Sequence, residues 1–235
     1  MARSMALLLA LCFAWGACLP AAARPLRDSR ALLATPTAGV IYNSGVLEWR
    51  SWSWGVSGLN LRDASFPMPG ARSSLCMGVQ PFGALSLRSP MPFGLDAGAL
   101  LGFYIRASNS SAAASSAAAP AAQLGALELQ FESSQPARYT ITPSLTLKEI
   151  FEAQAAADPS SPPAADLLAG AAAGRWTAVK VPLAAFAPTG ADGGAAFRAD
   201  RLTLGLCLQR LDGCSAAATP NLEACLDKMV VVSGV

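Results

Sequence analysis

Three tryptophans lie within six residues of one another, Trp49, Trp52 and Trp54. An indole is a flat apolar surface with a single N–H, so such a cluster either fills a core or stacks against a ligand such as a sugar ring. Alternation of aromatic and small polar residues predicts a β-strand in which Trp52 and Trp54 share one face and Trp49 lies on the other. Of the two uses, we expect Trp52 and Trp54 to lie mainly in the core and Trp49 to reach solvent.

Two further segments alternate apolar and polar side chains, as half-buried strands do. Their polar positions are Tyr104, Arg106, Glu128, Gln130 and Glu132, and we expect these to line one sheet face. An aromatic plane beside groups that form paired hydrogen bonds suits carbohydrate recognition. An ordinary solvated face of an antiparallel sandwich has the same composition, so both interpretations stay open.

Histidine is absent from the chain. This excludes Ser-His-Asp and Cys-His catalysis and removes the commonest metal ligand. The remaining route to hydrolysis is a pair of carboxylates about 5–10 Å apart, as glycosidases use, and the 15 acidic residues are dispersed singly. With 17 basic residues the charge is nearly balanced and no basic run occurs, which argues against a nucleic-acid partner.

One acid, Asp227, stands beside the apolar run of the last predicted strand. An acid at the mouth of a buried strand often serves a structural Ca²⁺, with turn carbonyls as further ligands. The alternative is a solvent-facing acid next to Lys228. No other cofactor is expected.

The first 23 residues have the composition of a secretory signal peptide. Arg3 supplies the positive charge, an apolar stretch follows, and three alanines precede Arg24 as a cleavage site. Residues 24–38 form a linker, and residues 39–235 form one domain. No second run of 18 apolar residues occurs, so the sequence predicts a secreted protein with no membrane span after cleavage.

Four cysteines follow the predicted leader, Cys76, Cys207, Cys214 and Cys225. An even number in a secreted chain predicts two disulfides, with three possible connectivities. Strand alternation places Cys76 and Cys207 opposite the large apolar residues of their strands. We therefore expect Cys76–Cys207 and Cys214–Cys225, while the other two connectivities stay open. A zinc site is disfavoured because Cys-x-x-Cys spacing and histidine are both missing.

Many short apolar runs separated by Gly, Pro and Ser predict an all-β antiparallel sandwich or barrel. The predicted strands are 39–43, 47–54, 75–80, 84–88, 100–106, 126–132, 139–147, 176–183, 202–208 and 226–232, with one helix at 148–154. Two Ala-rich insertions, 108–123 and 155–173, are predicted to be surface loops because they hold few bulky apolar residues. Asn109 begins a glycosylation sequon in the first.

Several motifs together resemble those of secreted carbohydrate-binding modules with a galactose-binding-type jelly roll. The motifs lie at residues 40–43, 49–55 (the Trp-Ser-Trp-Gly box), 74–79, 81–87, 101–106, 176–186 and 202–206, and at Asp227. The resemblance covers about residues 40–232. It implies a jelly-roll β-sandwich that binds a glycan. The last strand reads Leu-Asp-Lys where such modules often have consecutive acids, a departure that bears on metal binding.

The sequence therefore predicts a secreted, non-catalytic module that binds cell-wall or extracellular-matrix polysaccharide. Two alternatives remain. A structural or adhesive matrix protein would present a large exposed apolar patch to a protein partner. A glycoside-active enzyme would bring two of the dispersed carboxylates together across a cleft.

Overall fold

The computed structural model describes residues 39–95, 98–107, 118–134, 139–187, 197–210 and 222–232, with side chains in the first helix described from residue 121. The predicted leader and linker, Asn109 and Cys214 lie outside these residues, and what was expected of them stays a prediction.

Within the described ranges the chain forms twelve β-strands and three α-helices. The strands are β1 (Gly39–Asn43), β2 (Val46–Leu47), β3 (Arg50–Ser51), β4 (Trp54–Asp63), β5 (Ser74–Gly94), β6 (Leu100–Ala107), β7 (Glu128–Ser133), β8 (Thr140–Ile141), β9 (Leu145–Thr146), β10 (Thr177–Pro182), β11 (Arg198–Gly205) and β12 (Leu222–Val232). The helices are α1 (Ala118–Gly125), α2 (Leu147–Ala157) and α3 (Ala164–Ala172), and a 3-10 helix spans Leu183–Phe186. Among these described elements, no helix is both long enough and apolar enough to span a membrane.

Strand β5 is the longest element, and two halves of the sheet share it. Its first part pairs with β12 and with most of β4, and its second part pairs with β3, β11 and the first residue of β4. Between the two parts Phe82 has a φ of 62°. A Cβ atom at Gly83 would collide with the carbonyl oxygen of Gly55, so the bend of β5 against β4 requires glycine there.

The strand order is β10-β6-β12-β5-β11-β7-β8, and the neighbours in this path are antiparallel. Residues near the two ends of this path nevertheless meet in the core. The ring of Phe131 on β7 packs edge-on against that of Phe186, just after β10, with centroids 5.0 Å apart. The sheet therefore folds over on itself around one apolar cluster. This confirms the predicted fold class, an all-β antiparallel sandwich.

Helix α2 confirms the predicted helix at residues 148–154 and extends it at both ends. The Thr146 side chain accepts the backbone N–H of Glu149, whose carboxylate accepts the backbone N–H of Thr146. This capping box satisfies two donors that the first turn would otherwise leave open. Ile150 and Phe151 attach the helix to the core.

The prediction of surface loops in the Ala-rich insertions is wrong where the structure describes them. Residues 118–123 belong to α1, and most of residues 155–173 belongs to the end of α2 and to α3. Alanine has the highest helix propensity, and the buried Leu168 and Ala171 are enough to pack α3 onto the sandwich. A scarcity of bulky apolar side chains disfavours a β-strand in such a segment, but it allows a helix that packs on the domain through one or two residues.

The structure also corrects the disulfide pairing, because Cys76 is bonded to Cys225 and not to Cys207. The two cysteines face each other directly, Cys76 on β5 and Cys225 on β12. Alternation alone showed that Cys76 lies outside the apolar face, but the partner depends on strand order. Strand β12 lies beside the first part of β5, whereas Cys207 follows β11, which pairs with the second part. Cys207 is also disulfide-bonded.

Candidate functional site

The outer face of the β3-β5-β11-β7 half of the sheet carries three rows of directly opposed side chains. Such cross-strand pairs lie on one face and contact each other. The first row is Arg50, Arg88, Arg201 and Glu132; the second is Ser86, Thr203 and Gln130; the third is Trp54, Ala84, Gly205 and Glu128. We call this surface the outer polar face. Leu85 and Leu87 on β5 point the other way, into the core.

The predicted alternation of the tryptophans holds, but the assignment of core and solvent is reversed. Trp49 is 5% exposed and packs on Phe93, whereas Trp52 is 73% and Trp54 42% exposed. Trp54 lies opposite Ala84 and therefore on the outer polar face. Which face is buried depends on the neighbouring strand, which the box itself does not reveal.

Beside Trp52 lies a groove of about 760 Å³. Its lining comprises Glu48, Arg50, Ser51, Trp52, Arg88, Ser89, Pro90, Pro92 and Asp200. The register between β5 and β11 jumps at this point, from the Phe93–Ala199 pair to the Arg88–Arg201 pair. The extra residues of β5 arch out of the ladder, and their two prolines have no N–H to pair. The arch forms one wall of the groove and the exposed indole of Trp52 lies in another.

Asp200 holds the groove lining together. Its carboxylate accepts hydrogen bonds from the backbone N–H of Ser134 at 3.0 Å, from the Ser134 hydroxyl, and from Arg88 at 3.4 Å. Arg88 also donates to the Ser134 hydroxyl at 3.1 Å. These hydrogen bonds hold the Arg88 side chain in place beside the groove.

Four residues of the groove lining, Arg50, Arg88, Glu48 and Asp200, were not predicted from the sequence. Arg50 precedes Trp52 by two residues, so the alternation that grouped the indoles would have placed it on the same face. Arg88 and Asp200 enter the site through the pairing of β5 with β11, which the sequence does not show.

Glu128, Gln130 and Glu132 lie on the outer polar face as alternation predicts, but the prediction that they are solvated is wrong. Each is 5% exposed or less. Glu128 accepts hydrogen bonds from the backbone N–H groups of Leu208 and Gln209, both at 3.1 Å. Buried polar groups need such partners, and here they come from a segment distant in sequence. These three side chains therefore hold the fold together instead of facing a ligand.

Tyr104 and Arg106 do not share a face with the β7 residues as predicted. Both are on β6, and β12, β5 and β11 separate β6 from β7. Tyr104 is buried, and the Arg106 guanidinium stacks over Phe66 at 4.7 Å and Trp176 at 5.9 Å. Burial lowers the pKa of Arg106 from its ordinary value. The expected single ligand face is thus divided between two parts of the sandwich.

Asp227 is fully buried. Its Oδ1 accepts the backbone N–H groups of Ser44 at 2.9 Å and Lys228 at 2.7 Å, and burial raises the pKa of the carboxyl. The alternative of a solvent-facing acid is therefore wrong. Oδ2 has no hydrogen-bond partner in the described structure, which is compatible with a cation ligand. The described residues hold no cluster of three or more Asp, Glu, Cys or His side chains, so calcium at Asp227 stays a prediction.

Tyr139 gives the outer polar face a pH-dependent contact. Desolvation is the largest cause that raises the pKa of Tyr139 to about 12, and the hydrogen bond from its hydroxyl to Glu132 is the second. The unfolded value is about 10, so the contact contributes its full stability below about pH 10. We expect that contribution to be lost as the pH rises through about 12.

Absorbance titration of the phenolates in the folded and the denatured chain measures this shift. Tyr139→Phe should remove one of the late-titrating groups and flatten the fall in stability. A folded-state titration of Tyr139 near pH 10, as in model peptides, would contradict the assignment.

Neither a protein-family model nor a curated protein matches the chain. Among solved structures, a lysine-to-alanine variant of CBM29-2, a family 29 carbohydrate-binding module, is 14% identical, covers 84% of this chain and 93% of its own, and has a TM-score of 0.41. CBM29-2 variants complexed with cellulohexaose and with mannohexaose are also 14% identical, with TM-scores of 0.39 and 0.38 and coverage of 83% of this chain and 89% of their own. At this level of similarity the ligand of this chain does not follow from the matches.

Proposed function

We propose that this chain is a secreted, non-catalytic carbohydrate-binding module that holds a polysaccharide along the groove beside Trp52. The observation that carries the proposal is the 73% exposed indole of Trp52 lining a groove of about 760 Å³ together with charged side chains. A solvent-exposed indole of this kind is a common anchor of binding sites.

The chemistry of the lining favours a sugar over an apolar ligand. A pyranose has a C–H face that packs on an aromatic ring and hydroxyls that need donors and acceptors. The groove supplies the ring at Trp52, donors at Arg50 and Arg88, and hydroxyl oxygens at Ser51 and Ser89 as acceptors.

Binding is favoured over glycoside hydrolysis because one of the two carboxylates of the groove is engaged in hydrogen bonds within its wall. Glu48 and Asp200 are the acidic residues of the lining. Asp200 is engaged by Ser134 and Arg88, so it supports the wall. Secretion is supported by the signal-like leader and by the Cys76–Cys225 disulfide, since such bonds persist in oxidising compartments.

The test is binding of the purified protein to a panel of neutral and acidic polysaccharides by pull-down and calorimetry. We expect Trp52→Ala to weaken binding at least about tenfold, or about 1.4 kcal/mol, because the stacking surface is lost. Ile141→Ala removes another exposed apolar side chain, on β8, and should bind as the wild type does. Failure of the wild type to bind any polysaccharide, or full binding by Trp52→Ala, would overturn the proposal.

A further inference from the structure

Three arginines stand in one cross-strand row on the outer polar face. Arg50 on β3 is directly opposite Arg88 on β5, which is directly opposite Arg201 on β11. Like charges in directly opposed positions destabilise a sheet unless something neutralises them. The three positive charges of this row therefore need negatively charged partners.

Two of the three charges are compensated within the chain. Arg201 pairs with Glu132 at 3.2 Å, and Arg88 pairs with Asp200 at 3.4 Å. Arg50 has neither an ion pair nor a hydrogen bond from its side chain in the described part of the chain, and it is exposed. The row thus ends, at the edge of the sheet, in a guanidinium with five unused donors.

The position of Arg50 connects this charge with the groove. Arg50 lines the groove and precedes the exposed Trp52 by two residues, on the same side of the chain. The Arg88 side chain is 52% exposed, so it also presents donors there while paired with Asp200. A planar guanidinium binds carboxylate and sulfate in bidentate fashion, and the half-exposed second arginine adds to the attraction.

We propose that the groove selects polysaccharides that carry anionic groups, carboxylate or sulfate, and that Arg50 binds the anion while the sugar ring packs on Trp52. This rests on the proposed function and names its ligand class. Glu48, the exposed acid of the lining, also borders two smaller depressions next to the groove. It is not a partner of the anion and should weaken its binding.

The experiment compares wild type, Arg50→Gln, Glu48→Gln and Trp52→Ala on three groups of probes. These are alginate and polygalacturonate for carboxylates, heparin and carrageenan for sulfates, and cello- and manno-oligosaccharides as neutral controls. We expect an acidic probe to bind at least tenfold more tightly than the neutral ones, less tightly at high salt. Arg50→Gln should remove that preference, and Glu48→Gln should keep or increase it. Comparison of the carboxylate and sulfate groups identifies the anion.

Arg72→Gln is the matched control, because Arg72 is exposed, lies between β4 and β5, and contributes the same charge away from the groove. Equal losses in Arg50→Gln and Arg72→Gln would mean non-specific attraction and would overturn the inference. Equal binding of neutral and acidic probes would overturn it too, and would leave the proposed function intact if Trp52→Ala still failed to bind. Equal losses in Arg50→Gln and Glu48→Gln would point to a neutral sugar held between the two and would also overturn it. Thermal unfolding of each variant checks that the fold is retained.

Discussion

Replacing Cys76 and Cys225 by alanine is expected to lower the free energy of unfolding by about 2–5 kcal/mol. The two residues are 149 positions apart, so their bond encloses most of the described domain. In the chain-entropy model a loop of this length corresponds to about 5 kcal/mol of lost freedom in the unfolded chain. The bond also joins β5 to β12, which occupy the middle of the strand order.

Chemical denaturation of the double variant and of each single variant measures this effect. Because either substitution removes the whole cross-link, each single variant should lose nearly as much stability as the double variant. Peptide mapping without reductant should recover Cys76 linked to Cys225. Recovery of Cys76 linked to Cys207 would contradict the pairing, as would additive losses in the two single variants.

The second large effect is expected at Glu132, which is 2% exposed on the outer polar face. Its carboxylate accepts a hydrogen bond from Thr203 at 2.6 Å, another from Tyr139, and forms an ion pair with Arg201 at 3.2 Å. Glu132→Leu leaves the largely buried Arg201 without its counter-charge. Removing one partner of such a pair costs about 3–5 kcal/mol, because the remaining charge stays desolvated.

Three comparisons make this result specific. Glu152→Gln breaks the exposed Lys148–Glu152 pair and should change stability by less than about 1 kcal/mol. Combining Glu132→Leu with Arg201→Met should recover much of the loss, since the uncompensated charge is then absent. Glu132→Leu should also lower the pKa of Tyr139, because the hydrogen bond and the negative charge of Glu132 both raise it, while the effect of desolvation remains. A loss in Glu132→Leu no larger than in Glu152→Gln would show that the pair is not buried in solution.

Glu132 also shows which structural properties can be predicted from the sequence and which cannot. Alternation along β7 predicted which face carries Glu128, Gln130 and Glu132, and the structure has them on that face. Their burial could not be predicted, because the groups that cover them come from segments distant in sequence, such as Leu208 and Gln209. Periodicity is a local property, whereas burial depends on which segments pack together.

For the tryptophan box, too, one property could be predicted from the sequence and another could not. The opposition of Trp49 to Trp52 and Trp54 follows from the pleat of a strand, which every extended segment shares. Which tryptophans are exposed depends on the neighbouring strand β5, whose Leu85 and Leu87 point into the core. The pairing of β4 with β5 is visible only in the structure. The same limit applies to the disulfide, where the number of cysteines predicted cross-links but not the strand order that joins Cys76 to Cys225.

The hydrogen bonds between Arg88, Asp200 and Ser134 have a consequence for the entropy of binding. They already restrict the rotamers of Arg88 before any ligand arrives, whereas the side chain of Arg50 has no such restraint in the described structure. Immobilising a long side chain on binding costs about 0.5–1.5 kcal/mol, and a ligand held by both arginines would bear that cost mainly at Arg50. The guanidinium of Arg88 is thus pre-organised for binding, whereas that of Arg50 can adjust to the position of the negative charge on the ligand.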